Sequence, residues 1–487
     1  MQHLQGLIGI LLILGIGYLL CNNKKSINLK TIFWAMALQI IIAIIVLKGD
    51  SISNFLQAIV PFLSFSLCFS ILGLEILIAY IYYKNKGTLK KQVTFWIIGV
   101  QAGFVILLFN VIEKFFVACK DGVTSIIGYT TEGAKFVFGT LGTNDKTLGF
   151  IFAFQVLPTI IFIASIFAIL YYFGVMQAVV KFFAIIMIKF LGTSGAESTS
   201  VAASLFMGQT EAPLTIRPYL PEMTSSELMT IMTSGMAHIS AGIMAAYVLV
   251  GQVEIKHLIV SVIMTAPCAI LISKLMVPEA ETPKTGTEAK VEVAKTDINV
   301  IDAAARGATD GGILAVNVAC MLIAVIALVA LINGVIGYVD NGLIKLTQDW
   351  GSIPILGSIV TFISYIFPST LQQLLGWIFA PLAWTLGVPW HEAVSVGSLM
   401  GTRMVLNEFV AFIDLGTIKA TLDPRTFVLA TYALCGFANF TSIAIQIRGI
   451  GALAPNKREE FARLGLRAMI AGTLANFMTA AIVGMIY

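Results

Sequence analysis

"GTSGAESTSVAASLFMGQTEAPLTIRPYLPEM", residues 192–223, and "WHEAVSVGSLMGTRMVLNEFVAFIDLGTI", residues 390–418, decide the fold of this chain. A helix that crosses a bilayer needs about 20 apolar residues. Neither stretch has such a run, because Gly208, Gln209, Thr210, Glu211 and Pro213 interrupt the first, and Gly401, Thr402, Arg403, Asn407 and Glu408 the second. Non-helical backbone at bilayer depth is tolerated only where it is buried in protein or lines a watery cavity. Each stretch therefore predicts a helical hairpin that enters the membrane and turns back. The two also behave as a repeat: Ser200 precedes Glu211 by 11 positions, and Ser395 precedes Glu408 by 13. After the first comes an apolar stretch with Gly235, His238, Ser240 and Gly242 at its centre; after the second comes one with Gly436, Asn439, Thr441 and Ser442. Paired interrupted segments at corresponding positions of two halves point to a transporter's binding site.

The rest of the chain agrees with a membrane protein. Of its 487 residues 58% are hydrophobic and 11% charged, against roughly 45–50% and about 25% in a soluble domain. A net charge of +4 leaves no dense basic face for nucleic acid. The six cysteines are scattered without a CxxC pair and read as small buried hydrophobes. Apolar spans are expected at 4–21, 32–47, 62–83, 93–112, 148–173, 228–250, 258–277, 313–338, 427–447 and 466–487, about ten transmembrane helices in an all-α polytopic protein. The shorter 176–191, basic at its end, suits the membrane interface. The first span is a retained helix, since Lys24 and Lys25 follow it and no basic stretch precedes it. Lys24, Lys25 and Lys30, with Lys84, Lys86, Lys90 and Lys91, put the first and third loops in the cytoplasm and the N-terminus outside. Residues 278–310 lack apolar periodicity and read as a flexible polar connector. The expected units are 1–112, N-terminal helices; 113–192, scaffold; 193–277, a first transport half; 278–310, the connector; 311–389, a second scaffold segment; and 390–487, a second transport half.

Glu211 and Glu408 are the residues most in need of explanation, because an ionisable group at bilayer depth costs roughly 2.5–3.5 kcal/mol even on the lenient insertion scale. Glu211 has Gln209 and Thr210 beside it, and Glu408 has Asn407. Carboxylate acceptors with amide and hydroxyl neighbours suit a neutral ligand rich in donors. In the alternative, the two carboxylates pair with Arg217 and Arg403 and merely staple the hairpins. Asn439 and Ser442, three apart, share a helix face close to Phe437 and Phe440; they are either ligand groups or interhelical hydrogen bonds. His238 is the one histidine at membrane depth, too few for a metal site, and is either a satisfied core residue or a proton carrier. With no GxSxG or HExxH, an enzyme is not expected. A hydrolase using the paired Glu, and a passive channel for small polar solutes, stand as rival readings.

Five motifs, "EGAKFVFG" at 132–139, "GQTEAP" at 208–213, "RPYLPEMT" at 217–224, "NEFVAF" at 407–412 and "CGFANFTSIAIQIRGIGALAP" at 435–455, together resemble the concentrative nucleoside transporter family. The likeness runs from about residue 128 to the C-terminus and extends more weakly to the first two spans, and 54–112 looks like an inserted helix pair. The resemblance implies a lipid-embedded homotrimer in the cell membrane, with two re-entrant hairpins and two broken helices per protomer. Each protomer would import nucleosides by an elevator-type symport driven by Na+ or H+, without other cofactors. It implies that Gln209, Thr210 and Glu211 meet the nucleobase, that Glu408, Asn439 and Ser442 meet the ribose, and that Phe437 and Ile243 shape the pocket. A coupling Na+ would sit near Ser204, Met207 and Ile239. At that site His238 stands where the family carries a hydroxyl, and a hard cation prefers oxygen.

Overall fold

In lipid every peptide N–H and C=O must be satisfied within the segment, so apolar runs fold as helices. The computed structural model describes residues 2–49, 91–143, 149–286, 297–350 and 356–487, and every regular element among them is helical. In chain order these are α1 (Gln2–Leu19), α2 (Leu29–Leu47), α3 (Lys91–Phe138), α4 (Leu157–Tyr172) and α5 (Val175–Leu191). The first hairpin and its sequel supply α6 (Gly195–Ser204), α7 (Ser225–Ala237) and α8 (Ala241–Gly251). Then come α9 (Ile255–Met276), α10 (Val300–Trp350), α11 (Leu356–Ile366) and α12 (Leu371–Thr385). The second hairpin and its sequel are α13 (Trp390–Val405), α14 (Glu408–Ile418), α15 (Pro424–Leu434) and α16 (Phe440–Leu453), and α17 (Arg458–Ile486) closes the chain.

Hairpin followed by broken helix thus occurs twice. Among the described residues six helices are long and apolar enough to cross a membrane; the span expected at 62–83 lies outside those residues. Burial sorts the helices into two classes. In α9 and α17 the apolar window is 83% buried, whereas in α10 it is 22% buried. The first two pack on each other and on α7 and α15, the first arms of the broken helices, and α10 turns most of its apolar surface outward. Helix α5 is one-sided, with Met176, Val180, Ala184, Met187 and Leu191 buried and Phe182 and Ile185 exposed.

Two expectations are corrected by the fold. Helix α10 begins at Val300, so 300–310 is helical and not part of a flexible connector. Its start is capped: Asn299 Oδ1 accepts from the Asp302 N–H (2.9 Å) and Asp302 Oδ2 from the Ile298 N–H (2.9 Å). Arg306 then ties Asp297 (2.7 Å) to Asp310 (3.2 Å). Apolar periodicity is missing because the buried side of this turn consists of small residues, Ala303 and Gly307. The second correction concerns cysteine. Cys268 and Cys435 are buried, but Cys21 and Cys119 are half-buried and Cys320 faces outward on α10; all five are unbonded, and Cys68 lies outside the described residues.

Helix α10 meets α4 through glycine. At Gly311 an added Cβ would lie 2.7 Å from Ala164 Cβ and 2.8 Å from Ile161 Cα, so nothing larger fits without moving backbone. Gly311→Leu is expected to lower stability by about 1–3 kcal/mol, the usual cost of overpacking, read from thermal unfolding in detergent. An unchanged melting temperature would mean that the α4–α10 crossing does not form.

Candidate functional site

Hairpin 1 descends as α6, opened by a capping box in which Ser194 and Glu197 bond each other's backbone N–H. Its return arm is not α-helical. Pro213, Pro218 and Pro221 lack the N–H that a helix interior needs, and the chain climbs instead through short 3-10 turns at Ala212–Ile216 and Leu220–Glu222. Hairpin 2 returns as a true helix, because Asn407 caps α14 by accepting from the Val410 N–H at 2.9 Å. Asn439 does the same for α16, accepting from the Ser442 N–H at 2.9 Å. The stretches expected at 228–250 and 427–447 are each interrupted, at 238–240 and 435–439, which gives the two broken helices.

These elements meet in one hydrogen-bonded chain. At the tip of hairpin 1 Gln209 Nε2 donates to Ser442 Oγ (3.1 Å), and the backbone N–H of Ser442 donates to Asn439. Asn439 Nδ2 in turn donates to Glu408 Oε2 (3.3 Å), and Tyr247 Oη donates to Glu408 Oε1 (3.0 Å). Both hairpin tips and both broken helices are therefore joined through five side chains. Tyr247 was not among the residues singled out from the sequence. It lies four positions after Ile243 and so on the same face of α8, which was the available signal. Its ring stacks on Phe412 with centroids 4.6 Å apart and leans on Phe409 at 5.4 Å, which holds the hydroxyl on the carboxylate.

The remaining expected residues divide. Ile243 and Phe437 are buried beside the breaks. Thr210 packs on Gly449, where a Cβ would come within 2.5 Å of its methyl. Glu211 stands apart from the chain: it is exposed and accepts from the Gly208 N–H of its own turn at 3.2 Å. The two carboxylates are thus not equivalent, since Glu408 is 5% exposed and held by neutral donors. Among the described residues neither has a cation within 4 Å, which sets aside the staple reading. Arg217 is exposed, and Arg403 bonds backbone carbonyls and Asn476. Gln209 Oε1 and Asn407 Nδ2 are buried without a partner, leaving one acceptor and one donor at the two tips.

Near the first break, Ser204 Oγ donates back to Ser200 O (3.0 Å) and the Met207 N–H to Ala203 O (2.9 Å). The Ala241 N–H donates to Phe206 O (3.1 Å), so hairpin 1 and the start of α8 are bonded directly. Buried His238 turns onto its own helix, its Nδ1 2.8 Å from Ser234 O, and Nε2 has no partner. A carbonyl only accepts, so Nδ1 donates there, and Nε2 is the ring nitrogen left to take up or release a proton. No His, Cys, Asp or Glu cluster that would hold a metal occurs among the described residues. The arrangement sets one buried carboxylate acceptor among amide and hydroxyl groups, beside the rings of Tyr247, Phe409 and Phe412.

Comparison with known proteins gives the same direction. The model of the Na+ dependent nucleoside transporter C-terminus matches residues 257–484, that for nucleoside recognition 153–253, and that of the transporter N-terminus 8–74 and 71–141. The uncharacterized transporter YutK of Bacillus subtilis is 39% identical over 84% of this chain and 96% of its own. Nucleoside permease NupC of Helicobacter pylori is 36% identical over 86% of this chain and 98% of its own. A solved structure of CNTnw in an inward-facing, substrate-bound state matches with a TM-score of 0.75 at 35% identity, covering 99% of this chain and 98% of that one.

Tyr247→Phe removes a donor from a buried carboxylate and is expected to cost about 1–3 kcal/mol in thermal unfolding. In a Glu408→Leu background the same substitution should cost much less, because no acceptor is left. Equal losses in both backgrounds would show that the bond between them contributes nothing.

Proposed function

The chain belongs to the concentrative, Na+-dependent nucleoside transporter family, and from that premise we propose that it imports nucleosides across the cell membrane as a cation-coupled symporter. It is a membrane transporter and not an enzyme. One observation carries the reading: the chain from Gln209 through Ser442, Asn439 and Glu408 to Tyr247. Ribose hydroxyls would exchange for Tyr247 and Asn439 as donors to Glu408, with Asn439 and Ser442 as further partners. Gln209 and Thr210 would meet the nucleobase, and exposed Glu211 would reach it through water. Phe437 and Ile243 form the apolar walls. A site built to bond a substrate hydroxyl rejects an analogue lacking it, because its own buried groups are then left unpaired.

Coupling requires that the cation-loaded protein bind nucleoside more tightly, an effect that is reciprocal. Na+ held by oxygens around Ser204, Met207 and Ile239 fits the preference of a hard cation. A second reading, H+ coupling, is favoured by His238 Nε2, a titratable nitrogen buried without a partner. An elevator motion would carry the two hairpins with their broken helices past the outer helices. Assembly as a homotrimer is supported by α10, whose 51 residues extend about 75 Å at 1.5 Å per residue and expose Ile323, Leu331 and Tyr338. The N-terminus is proposed to face outside, with Lys24 and Lys25 in the cytoplasm. A channel would have no use for a single carboxylate per tip, where rings of charge are the rule.

Uridine uptake into proteoliposomes under an imposed Na+ gradient, at equal pH on both sides, is expected to rise above the equilibrium level. Accumulation under a pH gradient alone, lost in His238→Ser, would select H+ instead; none under either gradient would overturn symport. Glu408→Gln should lower uptake about 10- to 100-fold, the scale of a lost charge-assisted hydrogen bond, in a protein that still inserts.

A further inference from the structure

A helix leaves its last carbonyls without intrahelical partners, and the two broken helices do so at membrane depth, where water does not supply donors. In this chain those carbonyls are bonded by side chains from elsewhere. Asn476, fully buried on α17, donates through Nδ2 to Ala237 O, the end of α7, and to Cys435 O, just past the end of α15, both at 2.8 Å. Arg403 of hairpin 2 donates from Nη1 to Ala433 O (2.8 Å), from Nε to Gly436 O (3.1 Å) and from Nη2 to Asn476 Oδ1 (2.7 Å). A cation at the C-terminal end of α15 also faces the negative end of that helix's dipole. The backbone is shaped for the contact: a Cβ at Gly436 would lie 2.3 Å from Asn476 Oδ1 and 2.5 Å from Ala237 O.

The break after Ala237 leads to Ile239, a carbonyl of the proposed cation site. The break at 435–439 ends in Asn439, which holds Glu408. We propose that Asn476, locked by Arg403, is the positioning residue that couples the two: its amide links the breaks rigidly, so that cation binding at the first sets the geometry of the nucleoside groups at the second. This coupling role rests on the transport reading above. Asn476 contacts neither ligand in this scheme, so its loss should weaken the coupling while both sites persist.

Uridine affinity is measured by calorimetry on purified protein with and without a saturating concentration of the cation that drives wild-type uptake. In the wild type the cation is expected to tighten uridine binding about 5- to 150-fold. Asn476→Asp keeps the volume and the bond to Arg403 but replaces the donor by a carboxylate; the ratio should fall toward one, with cation-free affinity changed by less than about 3-fold, against the 10-fold that 1.4 kcal/mol would bring. An unchanged ratio with only a lowered melting temperature would make Asn476 purely structural and overturn the proposal. Should Asn476→Asp fail to fold, the same ratio is measured on Arg403→Lys, which cannot reach all three acceptors at once: a fall toward one supports the coupling role, and an unchanged ratio overturns it. A wild type that binds uridine equally with and without cation would refute cation-coupled symport and the coupling device with it, whereas an unchanged ratio in Asn476→Asp refutes the device alone. A wild type that binds no uridine would refute the transport reading and this proposal with it.

Discussion

A helix interrupted inside a membrane exposes peptide groups that lipid cannot bond, and the fold is arranged around satisfying them. On the amino side of each resumed helix in the second half, a side chain of the break itself does this: Asn407 for α14 and Asn439 for α16. On the carboxyl side the donors come from distant segments, Asn476 and Arg403. Buried backbone groups are almost always paired, so the breaks occur only where such donors are at hand. Once satisfied, the breaks bring polar groups to a depth where a solute can be held away from water.

The two halves repeat in sequence but not in environment. Glu408 is enclosed because α8 brings Tyr247 and α16 brings Asn439 against it. Glu211 ends an arm shortened by prolines, and its carboxylate closes its own turn at the protein surface. Two carboxylates of similar local composition thus have different surroundings, one an enclosed acceptor and the other exposed. The outer helices follow another logic. On α10 the exposed face is as apolar as a core, which is consistent with lipid or a second subunit as its neighbour, whereas the apolar windows of α9 and α17 are 83% buried.

Much of this was legible in the residues because polar groups at membrane depth are costly and therefore rare. Glu408, Asn439, Gln209 and Ser442 stood out on those grounds and lie in one hydrogen-bonded chain. Tyr247 and Asn476 did not, since a tyrosine or an asparagine in an apolar helix reads equally well as packing or as an interhelical bond. Arg403 was weighed only against Glu408, while its actual partners are backbone carbonyls and a distant amide, which have no signature in sequence. The helical start of α10 was hidden by small residues that bury without periodic bulk.

By itself the sequence determined that the chain is helical and membrane-embedded, that it contains two interrupted hairpins in repeat, and that acids and amides sit where lipid would otherwise be. Those conclusions need only hydropathy and spacing along the chain. The tertiary structure alone decided which carboxylate is enclosed, where the two long helices break, and which side chains join the breaks. Those depend on donors far away in sequence, such as Asn476, 239 positions beyond Ala237, and nothing local records which distant group will complete a hydrogen bond.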